Sequence, residues 1–285
     1  MPHFKLLIAY DGTDFHGWQM QEGIVTISSV LQNAFHDAFK KDIQILGASR
    51  TDAGVHAAGQ VASFTVDLDV NLDPTTWALV WNRRLPPAIN VVNIEQVPIR
   101  FNPCLNVVEK IYHYNLFRTR PSPFLARFGW WCKFIDYVDF DKFAKGLSFY
   151  VGEHDFRSFC KIESEDISSV RKIHAINLEK IPSLNAVRIV VKGPSFLHFQ
   201  IRRMIGYALD IARQPNISID FIQHMLKNPN PQQTLIKAEA SGLCLRKIIY
   251  HDTQPSPRLR RAGPVGYSLG ESNGVSSGKT GSEKI

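Results

Sequence analysis

Arg50, Asp52 and His56 fall within one eight-residue stretch, SRTDAGVH (residues 49–56), just ahead of the strand-like GQVASF. A carboxylate beside a guanidinium is held as the anion, so it can serve as a nucleophile or a charge stabiliser rather than as an acid at neutral pH. An Asx-type turn with Gly54 at positive φ also accounts for an isolated Asp-x-Gly. The neighbouring arginine and histidine favour the chemical reading, because loops beside strands commonly display functional side chains. The chain has no Ser-His-Asp arrangement, no H-E-x-x-H, no Walker A motif and no G-x-G-x-x-G after a strand. Chemistry without metal or organic cofactor, at a lone aspartate, is therefore the leading enzymatic option. A second acidic candidate, Asp155 in GEHDFRSF (residues 152–159), has aromatic neighbours and reads as a structural turn with local hydrogen bonds.

Such a loop needs a scaffold, and strand-like and helix-like segments alternate in two similar rounds. In the first, FKLLIAY places Phe4, Leu6, Ile8 and Tyr10 on one strand face, and SSVLQNAFHDAFK spaces Val30, Leu31, Ala34, Phe35, Ala38 and Phe39 as a helix does. DPTTWALVWNRRLP offers Asp73 as N-cap, Pro74 at the first helical position and a Trp77, Trp81, Leu85 stripe. In the second round NVVEKIYHYNLF puts Val108, Lys110, Tyr112, Tyr114 and Leu116 on one face, followed by a helix around Phe140–Leu147. Strands are expected at RKIHAINLE, AVRIVVK and GLCLRKIIY, with a last helix capped by Ser218. The long segment FLHFQIRRMIGYALDIAR predicts a helix with an apolar stripe of Leu197, Ile201, Ile205, Ala208 and Ala212, which leaves Arg202 and Arg203 off the centre of the buried face. The expected class is α+β, a mostly antiparallel sheet with helices on one face, in two related halves at residues 1–105 and 106–252.

Residues 253–285 differ in kind. Gly, Ser and Pro supply 15 of these 33 residues, so the segment reads as a disordered tail. Its five basic and two acidic residues carry +3 of the chain's formal +7, leaving +4 on the folded part. A basic chain favours a polyanionic partner, with nucleic acid first. A hydrophobic share of 44% with 21% charged residues is that of a globular protein. Cys104, Cys132, Cys160 and Cys244 are too far apart for a zinc or redox pair and read as reduced thiols. Neither a signal peptide nor an apolar run of membrane-spanning length occurs, so a cytoplasmic location is expected.

Six blocks then resemble, in order, the signature blocks of the TruA family of tRNA pseudouridine synthases. They are AYDGTDFHGWQMQ (9–21), SRTDAGVHAAGQVASF (49–64), EKIYHY (109–114), GEHDFRSF (152–159), FLHFQIRRMIG (196–206) and SGLCL (241–245). The resemblance implies a pseudouridine synthase fold and a homodimer. It implies an enzyme that isomerises particular uridines in the anticodon arm of tRNA without metal or organic cofactor. It places the family's nucleophile on Asp52, its neighbouring arginine on Arg50, the tyrosine that stacks on uracil on Tyr112, and the arginine that pairs with the aspartate on Arg202. Arg203 is left for a phosphate. The residue types suit base extrusion, in which a cation fills the gap and an aromatic ring receives the base. Whether Asp52 attacks the ring or assists at the sugar stays open. The chain departs from the family pattern at Ser49, Cys104, Lys110, Phe199 and Gln200, which bears on the loop's backbone and on the choice of uridine. A non-catalytic tRNA chaperone of the same fold is the alternative, and an aspartate-dependent hydrolase would need a second carboxylate or a metal set.

Overall fold

In the first strand, β1 (His3–Tyr10), alternate residues Phe4, Leu6, Ile8 and Tyr10 are buried, as the period of two requires. The computed structural model describes residues 1–67, 73–162, 166–233 and 235–251. The expected tail, 253–285, lies outside the described residues. β1 runs antiparallel to β3 (His56–Thr65) on one side and to β4 (Ile89–Val97) on the other. β2 (Leu46–Gly47) adds to β3. From the second round come β5 (Val107–Phe117), β8 (Ala175–Ile181), β9 (Ala186–Gly193) and β10 (Leu243–Tyr250). Together they form one eight-stranded sheet in the order β4-β1-β3-β10-β5-β9-β8, with β2 on β3. β10 lies parallel to β3, with Cys244 opposite His56, whereas the sheet's other described pairings are antiparallel. That junction sets the strand after the Asp52 loop against the last strand among the described residues.

Helices cover the face that carries Leu6, Ile8 and Phe64. α1 (Ile27–Phe39) starts with Thr26 and Ser29 capping each other reciprocally, and α2 (Pro74–Asn82) starts with Asp73 accepting from the N–H groups of Thr75 and Thr76. Phe35 of α1 meets Phe64 and Trp81 edge-on at 5.4 and 4.9 Å, and Trp77 lies 4.7 Å from Phe4. The buried Trp81 indole donates to Leu31 O at 3.0 Å, so its polar edge is satisfied. Leu85 falls beyond the end of α2. The opposite sheet face, with Lys5, Leu7, His113 and Ile248, lines an open groove of about 630 Å³.

Several elements differ from their sequence reading, and others match it. The strand expected at RKIHAINLE divides at His174. Its first part, β7 (Val170–Ile173), pairs with β6 (Gly152–Asp155) in a separate two-stranded sheet, while β8 joins the main one. β4 was not among the expected strands; a register shift opposite Leu7 and Ile8 moves its buried set from Ile89 and Val91 to Ile94 and breaks the alternation. Ser218 does not cap the last helix, α5 (Phe221–Lys227); its hydroxyl accepts from the N–H of Asp220, the N-cap residue. α3 (Phe140–Ser148) begins at the Asp139 cap. Asp155 accepts from the Arg157 N–H at 2.9 Å, the turn expected of it.

The largest difference is α4 (Gln200–Ala212). Phe199 takes a left-handed conformation (φ 64°), so the helix starts four residues after Phe196. Ten of its thirteen residues are buried, Arg202 among them. Periodicity misplaced Arg202 because it cannot register a charge compensated inside the protein. α4 also passes very close to the chain near Ile236: a Cβ on Gly206 would lie 2.2 Å from Ile236 O. Gly206→Ala gains up to about 1 kcal/mol in helix propensity. Overpacking against backbone costs about 1–3 kcal/mol and wins. The variant is expected to show a lower Tm and, because α4 carries Arg202, lower activity.

Candidate active site

The loop between β2 and β3 is held by side chains from three strands. Lys110 Nζ donates to Ala48 O at 2.7 Å, and Gln60 Nε2 donates to Ser49 O at 2.6 Å. Ser49 and Tyr112 share a hydroxyl hydrogen bond of 2.8 Å, as do Thr51 and Tyr10. Trp18 N donates to Thr51 O at 3.0 Å and Gly54 N to Phe15 O at 3.2 Å. Gly54 has the positive φ (77°) its turn requires, and Ser49, where the family usually has Gly, does not. Satisfied polar contacts of this kind specify one backbone path. Burial depresses the Lys110 pKa. It also raises that of Tyr112, which is pushed up to about 12 by burial first, with the nearby Asp52 charge adding and the Ser49 bond opposing.

Asp52 rises from this loop into a cluster of cations. Arg202 Nη1 donates to Asp52 Oδ2 at 3.0 Å, and Arg202 Nε donates to Ala238 O at 2.8 Å. Arg202 is only 7% exposed, so its charge depends on these two partners. His198 Nε2 lies 3.6 Å from Asp52 Oδ1. Lys237 Nζ sits 3.9 Å from the centre of the Phe199 ring, with the Arg202 guanidinium 5.6 Å from the same ring. The Lys237 pKa is lowered, by partial burial first and then by Arg202. The α4 N-terminus adds its partial positive charge nearby.

The residues expected from sequence therefore divide. Asp52, Arg202 and Tyr112 converge, and the Tyr112 ring stands edge-on to Phe196 at 5.3 Å. Arg50 is exposed on the same loop, two residues from Asp52. Arg203 is half-buried and donates to the Cys160 carbonyl. His56 belongs to the support of the loop. It is buried, and its Nδ1 is 3.1 Å from both Gly12 N and Asp11 Oδ1, while Arg127 Nη1 donates to Asp11 Oδ2 at 2.9 Å. Burial would raise the Asp11 pKa, but the Thr13 hydroxyl and N–H bonds, with His56 and Arg127, outweigh it and the net shift is down. Lys237 was missed, and nothing in IKAEASGLCL marked it. Lys110 and Tyr10 could have been found, because strand alternation puts them on the faces of Tyr112 and Ile8.

Among the described residues no cluster of three or more His, Cys, Asp or Glu could hold a metal ion, and no helix is long and apolar enough to cross a membrane. What the geometry offers is a carboxylate on a fixed loop, gripped by a buried arginine and flanked by a tyrosine whose pKa is raised.

A family model described as tRNA pseudouridine synthase matches residues 6–104 and 148–251. The protein called tRNA pseudouridine synthase A from Brachyspira hyodysenteriae is 32% identical over 256 residues, covering 88% of this chain and all of that protein. Its counterpart from Finegoldia magna is 33% identical over 251 residues, covering 88% and 100%. That from Oenococcus oeni is 34% identical over 254 residues, covering 88% and 98%. With the matched residues including the Asp52 loop and the Arg202 helix, the chain belongs to the TruA family of tRNA pseudouridine synthases.

Proposed function

We propose that this protein isomerises uridine to pseudouridine in the anticodon stem-loop of tRNA, with Asp52 as the nucleophile, as a cytoplasmic homodimer needing no metal or organic cofactor. The observation that carries the reading is the Asp52–Arg202 pair, a carboxylate held at 3.0 Å by a buried guanidinium on a loop fixed from three strands.

The target base must leave its stack before the glycosidic bond can be reached. Arg50, exposed at the loop tip, fills the vacated gap, and Tyr112 receives the extruded uracil. Asp52 then attacks either the pyrimidine ring or the sugar carbon. In both routes the bond from sugar C1′ to N1 breaks, the base turns, and a bond from C1′ to C5 forms. The C5 hydrogen leaves as a proton and N1 gains one, so the product is an isomer. Arg202 holds the carboxylate in position, which costs no reorganisation during the reaction. Arg203, from the same helix, approaches a phosphate next to the target. β3 and β10, one from each proposed half, pair in parallel, and the chain's net positive charge complements the RNA.

Tritium release from tRNA transcribed with 5-tritiated uridine tests this, because forming the C5 bond must expel that hydrogen. The wild-type protein is expected to release one tritium per uridine modified. No release, with tRNA binding intact, would leave a tRNA-binding protein without the isomerase activity.

A further inference from the structure

The segment from Arg118 to Phe134, RTRPSPFLARFGWWCKF, is not accounted for by the chemistry at Asp52. It holds Arg118, Arg120, Arg127 and Lys133, no Asp or Glu, and five aromatic residues. Trp130, Trp131 and Phe134 pack against the core, and Arg127 is spent on Asp11. Phe124 is different. It is 89% exposed, the most exposed aromatic side chain among the described residues. Singly exposed apolar side chains are common, so the exposure of this ring counts only together with its place beside the Asp52 loop.

The segment is also placed at the active site. Arg127 joins it to Asp11, in the loop whose neighbour Phe15 accepts from Gly54 N. The Phe128 ring lies 5.3 Å from that of His56. Ser241 Oγ donates to Gly129 O at 3.2 Å, and the adjoining Ala240 Cβ is 3.1 Å from where a Cβ on Gly54 would stand. The stretch therefore rims the Asp52 loop on the side of Gly54, with Phe124 three residues before the Arg127 anchor. Arg118, Arg120 and Lys133 are exposed in the same segment, with the Arg118 guanidinium 4.8 Å from the centre of the Phe140 ring.

We propose that Phe124 is a stacking platform for an unpaired base of the tRNA neighbouring the uridine presented to Asp52, with Arg120 contacting the sugar-phosphate backbone. This rests on the reading of the chain as a tRNA-modifying enzyme. An aromatic face takes any base, and the surrounding cations with no carboxylate in the segment suit a polyanion better than a protein surface of mixed charge. The ring contributes through stacking rather than through apolar contact alone.

The test measures equilibrium binding of a fluorescein-labelled full-length tRNA transcript to the full-length protein, with tritium release on the same preparations. Phe124→Ala and Phe124→Leu are expected to weaken binding roughly 5- to 150-fold, and Phe124→Trp to retain it, all at unchanged Tm. Arg120→Gln is expected to lower the slope of log affinity against log salt by about 0.7–0.9, whereas Phe124→Ala leaves that slope as it is. Wild-type affinity in Phe124→Ala, or in Phe124→Leu, overturns the stacking platform. Unchanged tRNA affinity with loss of self-association in sedimentation would overturn it in favour of a subunit contact. Weakened binding in a protein that releases no tritium keeps the platform and removes the isomerase. Normal release with unaltered affinity removes the platform alone.

Discussion

Asp52→Asn is expected to release no measurable tritium from labelled tRNA while binding it as the wild type does. Asparagine keeps the shape and still offers an oxygen to Arg202 Nη1, now 3.0 Å from Asp52 Oδ2, so the buried guanidinium retains a hydrogen-bond partner. What is lost is the carboxylate proposed as nucleophile, and removing such a group from a cooperating set typically costs about 10⁴-fold or more in kcat. Asn is a cleaner test than Ala. Asp52→Ala would strand Arg202 as a buried charge with only the Ala238 carbonyl, and breaking a buried pair from one side costs about 3–5 kcal/mol. Inactivity of the alanine variant could then come from a displaced helix. Tritium release by Asp52→Asn at a wild-type rate would place the nucleophile elsewhere.

The second large effect is expected at Arg202, whose proposed role is to position Asp52. Its guanidinium bonds in two directions at once, through Nε to Ala238 O at 2.8 Å and through Nη1 to Asp52 at 3.0 Å. Arg202→Lys supplies one compact ammonium and cannot satisfy both. Loss of one hydrogen bond to a charged group is worth about 1.5–3 kcal/mol, so kcat is expected to fall roughly 10- to 150-fold with KM for tRNA little changed. Arg202→Ala is expected to fall further and to lower Tm, since Ala238 O and Asp52 both lose their partner. An equal loss in KM with kcat preserved would instead make Arg202 a contact to the RNA.

Both results depend on one pairing between residues 150 positions apart in the chain. Periodicity located α4 but set Arg202 beside the buried stripe, because an amphipathic pattern counts a charge as solvent-facing. It also extended the helix back to Phe196 through Phe199, whose left-handed backbone no propensity indicates. His56, four residues from Asp52, favoured the chemical reading of the loop, yet in the structure it is buried against Asp11 and Gly12 instead.

The sequence by itself determined the parts whose causes are local or are carried in ordered blocks: the alternation of β1 and β5, the Asp73 cap and tryptophan stripe of α2, the turn that presents Asp52, and the family. Each depends on neighbours within a few residues, or on six motifs in order. It took the folded structure to show that β3 and β10 pair in parallel, that β7 leaves the main sheet, and that Lys110, Gln60, Tyr10 and Tyr112 hold the Asp52 loop. It alone brought Lys237 and Phe199 to the carboxylate. The reason is that strand order, burial and ion pairing are settled by contacts between distant segments, whose free energy no local window of residues contains.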